Sequence, residues 1–228
     1  MMQSYFTPTL PSALVVLAFL GTSLLLAVVL IAAVVSLALG KRRLARWLSV
    51  AWLAAGAAYG AALLAFSLAS REHVLQKGDR KYFCEVDCHL AYSLQEVTTK
   101  PADKAKRYRV SIQTWFDSKT IASFRGNGPL TPNPREVFVV DASGRRYGPS
   151  PAGMAALQQE RGSPSTPLSR ELRPGESYTT TLAFDLPKGA RNPRLFLGDP
   201  LGVELFLIDH ENSLFHKKIY FALEPKAG

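Results

Sequence analysis

Tyr108–Phe116, YRVSIQTWF, alternates without a slip: Tyr108, Val110, Ile112, Thr114 and Phe116 fall on one face, and Arg109, Ser111 and Gln113 on the other. Successive side chains of a strand point to opposite faces, so this segment predicts a strand with one buried and one wet face. Trp115 lies on the outward face and marks a contact surface or a place covered by a loop. Further candidate strands flank it: Ala91–Thr98, Thr120–Phe124, Glu136–Asp141, Tyr178–Asp185, Arg194–Leu197, Val203–Ile208 and Leu214–Leu223. The Gly and Pro residues of GNGPLTPNP and the Pro174-Gly175 pair separate them as turns, and DHENS reads as a hairpin connection between the last two. Ala152–Arg161 has helix-forming residues inside a long loop that ends near Ser169. Short, evenly spaced strands predict an all-β sandwich rather than βα units.

The chain before residue 70 is of another kind. Residues 1–70 hold four charged groups, Lys41, Arg42, Arg43 and Arg46, while residues 71–228 hold 23 basic and 18 acidic ones, a net charge of +5. Pro11–Gly40 carries no charge, and about 20 apolar residues suffice to cross a bilayer core. We therefore expect a transmembrane helical hairpin over 1–70, with spans at about 12–39 and 47–69 joined by a turn at 41–46. Short loops rich in Lys and Arg stay in the cytoplasm, which puts both termini and the soluble domain outside it, at the cell (inner) membrane. A cleaved signal peptide fits poorly, because the first span lacks a basic leader and is too long. Trp47 and Trp52 suit an interfacial belt. Gly56 and Gly60 have the spacing that lets helices approach closely, within the hairpin or in a homo-oligomer. Residues 71–80 read as a juxtamembrane connector and 81–228 as the extracytoplasmic sandwich. A charge of +5 is a weak field for anionic lipid or acidic polymers, and no basic-aromatic stacking motif points to nucleic acid.

The succession RVSIQTWF, FVVDASGRRYGPS, LRPGESYTTTLAFDLP and RLFLG resembles the telokin-like, immunoglobulin-like extracytoplasmic domains of bacterial membrane-anchored proteins, over about residues 91–198. That resemblance implies an immunoglobulin-like fold and a binding or assembly role, with no activity transferred. Its pattern does not contain Cys84, Cys88 and His89, which stand together in KYFCEVDCHLAYS, Lys81–Ser93.

Outside the cytoplasm two cysteines are most simply a disulfide. Extended strand would place their Cα atoms about 13 Å apart, so the bond requires a bend at Glu85–Asp87. Two sulfurs and the His89 imidazole also suit copper in an electron-transfer module. The two-helix topology is similar to subunit II of haem-copper oxidases, whose copper motif places a His four residues after the second Cys; here that residue is Tyr92. Haem attachment expects two residues between the cysteines instead of three, and Glu85 and Asp87 disfavour a reactive thiolate. No nucleophile elbow, zinc-protease, P-loop or dinucleotide motif occurs, and Asp209, His210 and Glu211 read as solvated turn residues. The expectation is a non-enzymatic module with no cofactor and with another membrane or periplasmic protein as partner, copper being the alternative.

Overall fold

The computed structural model describes residues 3–7, 10–84, 88–102, 105–121 and 123–224. Contacts divide the chain into two units: Met1–Thr7, Glu72–Pro200 and Lys218–Gly228 form the first, and Pro8–Arg71 with Leu201–Lys217 the second.

The first unit holds two five-stranded sheets. One contains β1 (Ser4–Thr7), β3 (Arg80–Phe83), β4 (Leu90–Ala102), β5 (Ala105–Phe116) and β8 (Ser177–Pro187) in the order β1-β3-β4-β5-β8. The other contains β2 (His73–Leu75), β6 (Glu136–Val140), β7 (Arg146–Tyr147), β9 (Arg194–Gly198) and β10 (Ile219–Ala222) in the order β2-β10-β9-β6-β7. Two pairings are parallel, β1 with β3 and β2 with β10; the others are antiparallel.

Alternation in β5 does what its sequence predicts. Tyr108, Val110, Ile112, Thr114 and Phe116 are buried, and the residues between them are partly exposed. Tyr108, Val110, Ile112 and Phe116 share one core with Leu90, Tyr92 and Leu94 of β4, Phe184 and Leu186 of β8, and Leu195, Leu197, Ile219 and Phe221 of the second sheet. A bulge at Gln95 shifts the β4–β5 register between Leu94 and Glu96.

The edge strand β8 is covered. α3 (Pro151–Arg161) packs on it, capped by Ser150, whose Oγ accepts from Gly153 N at 3.0 Å. Ser150 N donates to Ala183 O, and Thr181 N donates to Ser165 Oγ, so the long loop satisfies backbone groups that an open edge leaves unpaired. A Cβ on Gly153 would lie 2.9 Å from Ala183 Cβ, and this close approach is what requires glycine there.

The second unit contains α1 (Ser12–Ala38) and α2 (Arg42–Ala69), joined through Gly40 at φ +74°. Both are long and apolar enough to cross a membrane. Their exposed surface is apolar, unlike that of a helix in water: Leu17, Leu24, Ile31 and Leu53 are exposed, while the few buried residues are Ser12, Ser36 and Ser67 with Val15, Ala33, Ala45 and Leu63. Among the described residues, nothing lies within 4 Å of a Cβ built on Gly56 or Gly60.

Several expectations differ from the structure. Val203–Ile208 is not a strand; its first four residues, Val203–Phe206, form a 3-10 helix. The last strand is confined to Ile219–Ala222, so DHENS joins no hairpin. The described part of Thr120–Phe124 is turn and bend, held by a Thr120 Oγ1 bond to Cys88 O at 2.6 Å. Two segments expected outside the sheets contribute strands, β1 in the N-terminal tail and β2 in the connector. Each strand is too short to show a period, and each is held by a neighbour remote in sequence.

Candidate functional site at the disulfide-closed hairpin

β3 and β4 pair antiparallel, with Phe83 opposite Leu90, so Cys84 and Cys88 enter and leave the tip of a hairpin. They form a disulfide with Cα atoms 4.1 Å apart, and the chain has no free cysteine. The bend expected at Glu85–Asp87 lies outside the described residues.

The residues after the disulfide tie this tip to the end of β5. His89 O accepts from Asp117 N at 2.8 Å, and the His89 ring packs 5.1 Å from that of Phe116. Asp117 receives the Tyr82 hydroxyl at 2.8 Å on Oδ2 and Lys119 N at 2.9 Å on Oδ1. Burial and the acceptor Asp117 push the Tyr82 hydroxyl pKa up. Trp115 is covered by the Arg80 guanidinium, 3.9 Å from its ring.

Sequence reasoning passed over Lys81. Its side chain is fully buried, and Nζ donates to Leu197 O at 2.6 Å and to Ile219 O at 3.4 Å. A strand of one sheet thereby binds carbonyls of β9 and β10 in the other. The ammonium also lies 5.2 Å from the Phe83 ring and 5.1 Å from the Phe196 ring. Beside it Arg135, equally withdrawn from solvent, pairs with Asp199 and stacks 4.0 Å from Phe83. Buried cations persist only where hydrogen bonds and counter-charges replace water. The available signal was period: in KYF, Lys81 takes the same face as Phe83, the inward one.

Two other clusters fix turns. Asp141 closes β6, its Oδ1 accepting from Ser143 N, Ser143 Oγ and Arg145 N, and its Oδ2 from the Tyr147 hydroxyl. These donors, Ser143 first, hold its pKa down at about 2. Asp185 takes a bidentate bond from Arg107 at 2.6 and 2.8 Å and a further one from Ser150 Oγ, so its carboxyl also sits below the usual range. Both charges line an open depression of about 650 Å³ with Pro101, Ala102, Ala105, Ala152 and Pro187. Within it Arg107 and Asp185 are engaged with each other.

For metal binding the arrangement offers little. With the two sulfurs bonded to each other, neither is a thiolate ligand, and no group of three or more His, Cys, Asp and Glu among the described residues is placed to hold an ion. His210 and His216 belong to the second unit. Asp209, His210 and Glu211, expected as solvated turn residues, are buried.

No family model and no curated protein matches this sequence. Among solved structures, the chain is similar to a conserved hypothetical protein from Bacillus anthracis, at 17% identity and a TM-score of 0.36, over 48% of this chain and 82% of that one. It is also similar to the secreted protein MPT63 from Mycobacterium tuberculosis, at 12% identity and a TM-score of 0.37, over 57% of this chain and 98% of that one.

Proposed function

We propose that this chain is a membrane-anchored protein that holds an immunoglobulin-like two-sheet domain outside the cytoplasm, where it acts as a non-catalytic interaction or assembly module for another membrane or periplasmic protein. The observation that carries the reading is the pairing of β1 with β3. β1 precedes α1 and β3 follows α2, so the chain on both outer sides of the helix pair joins one sheet, which supports a hairpin with both outer ends on one side of a bilayer. The basic segment Lys41–Arg46, which opens α2, then falls on the other side, and its charge supports a cytoplasmic location for that side. The paired charges of the β domain and its disulfide-closed hairpin suit a rigid scaffold in an oxidising compartment.

A reporter that works only outside the cytoplasm should be active when fused after Gly228 and silent when inserted between Arg43 and Leu44. Activity only at the second position overturns the orientation. Purification of the full chain in gentle detergent should retain a companion protein in fixed proportion, and a strictly solitary chain counts against the assembly role. The copper alternative needs Cys84 and Cys88 as free thiols beside His89; bound metal with two titratable thiols in the native protein would restore it.

A further inference from the structure

We infer that residues 201–217 form a lipid-inserted loop, seated in the outer leaflet beside the two helices with Leu201, Val203, Phe206, Leu214 and Phe215 against acyl chains. This inference rests on the membrane-anchored reading above. Its basis is an inversion of polarity. Those five apolar side chains are 49–71% exposed, while Asp209, His210, Glu211, Asn212 and Ser213 between them are no more than 9% exposed. A loop surrounded by water has the opposite arrangement, and one surrounded by hydrocarbon needs this one, because lipid solvates apolar groups and leaves polar ones to be satisfied internally.

Asp209, His210, Asn212 and Ser213 are accordingly engaged. Asp209 Oδ2 accepts from Leu10 N at 3.0 Å, and Asp209 Oδ1 lies 3.7 Å from His216 Nε2. Asn212 N donates to His210 Nδ1 at 3.1 Å, and Ser213 Oγ donates to Leu207 O. Glu204 folds its carboxylate back over Gly202 and buries Oε2 without a hydrogen bond, and Glu211 buries Oε1, so both acids are withdrawn from the exposed apolar face. Phe215 holds its exposed ring at φ +66°, a conformation that a bulky residue adopts only where its surroundings impose it.

Position along the helix selects lipid over a water-borne partner. Lys217 N donates to Ser70 Oγ at 2.9 Å, at the end of α2, whereas the Tyr59 hydroxyl donates to Phe206 O at 2.7 Å. Tyr59 precedes Ser70 by eleven residues, about 16 Å along the axis. A stretch of about 20 residues counted from Trp47, just past the last arginine, ends at Phe66. Phe206 therefore lies about 10 Å inside the outer boundary of the hydrocarbon, level with helix faces that are themselves apolar and exposed.

Single-tryptophan versions of the full chain, reconstituted in vesicles of phosphatidylcholine brominated in the middle of the acyl chain, test this. Phe206→Trp or Leu214→Trp is placed on a background with Trp47, Trp52 and Trp115 changed to Phe. Phe124→Trp on the same background reports the β domain, and a version keeping only Trp52 reports the anchor. Tryptophan at 206 and at 214 should lose most of its emission, as should Trp52, while tryptophan at 124 keeps its own. Quenching of Trp52 without quenching at 206 and 214 overturns the loop insertion and leaves the anchor standing, with a protein partner or a second copy covering the loop. Quenching at none of these positions overturns both. The two loop positions guard against a single substitution that disturbs folding.

Discussion

The β domain and the helix-bearing unit solve the same problem in opposite senses. In β5 the apolar residues are inside and Arg107, Arg109, Ser111 and Gln113 face outward, tied to Asp185, Glu160, Thr181 and Gln95. In α1 and α2 Ser12, Ser36 and Ser67 are buried beside Val15, Ala33, Ala45 and Leu63 while most leucines are exposed, and residues 201–217, with no helical span, likewise expose apolar side chains and bury polar ones. The comparison teaches that surface polarity, more than secondary structure, reports which solvent a segment is built for.

The strongest way to break this contrast is to truncate a large apolar residue in each region. Phe184→Ala, in the shared core, should destabilise the β domain by about 3–5 kcal/mol through lost burial and a cavity. Leu24→Ala, on the exposed face of α1, should change unfolding of the full chain in detergent by less than about 0.5 kcal/mol. Thermal unfolding followed by circular dichroism measures both; equal effects would end the distinction.

Next in size is the exception inside the β domain. Lys81→Ala strands the Leu197 and Ile219 carbonyls and empties the space between the sheets, at a cost of about 2–4 kcal/mol. Lys81→Met, which keeps the volume and removes the buried charge, should recover part of that loss, because an apolar isostere needs no desolvation. If Met is as damaging as Ala in chemical denaturation, the bonds to the carbonyls matter more than packing.

The smallest expected effect is a pH slope. Asp141 is held at about 2 in the folded protein, below its ordinary value, so its contribution is complete above about pH 4 and is lost as pH falls toward 2. Melting temperature measured between pH 5 and pH 2 should fall less steeply for Asp141→Asn than for the parent. An unchanged slope would assign acid sensitivity to Asp185 and its Arg107 partner instead.

Much of the fold was legible because its signals are local. Charge-free length in 12–38 and strict alternation in YRVSIQTWF need no knowledge of neighbours, whereas 41–46, expected as a turn, opens α2 at Arg42. The candidate site was half legible: the compartment and the cysteine count pointed to a Cys84–Cys88 disulfide, but sequence reasoning did not single out Lys81, which is buried. Residues 201–217 were misread for a related reason. Val203, Leu205 and Leu207 alternate as in a strand, and it takes remote bonds such as that from Tyr59 to Phe206, across 147 positions, to show the segment grouped with α2.

By itself, then, the chain determined which stretches are long and apolar enough to span and that Tyr108–Phe116 alternates, since each depends on spacing along the sequence; for its two cysteines it favoured a disulfide and left copper as the alternative. Tertiary structure alone decided that the tail before α1 and the strand after α2 share a sheet, that a lysine crosses between sheets, and that an apparent strand joins the helices. Those outcomes depend on which remote groups satisfy each backbone carbonyl and each buried charge, and no local pattern encodes that choice.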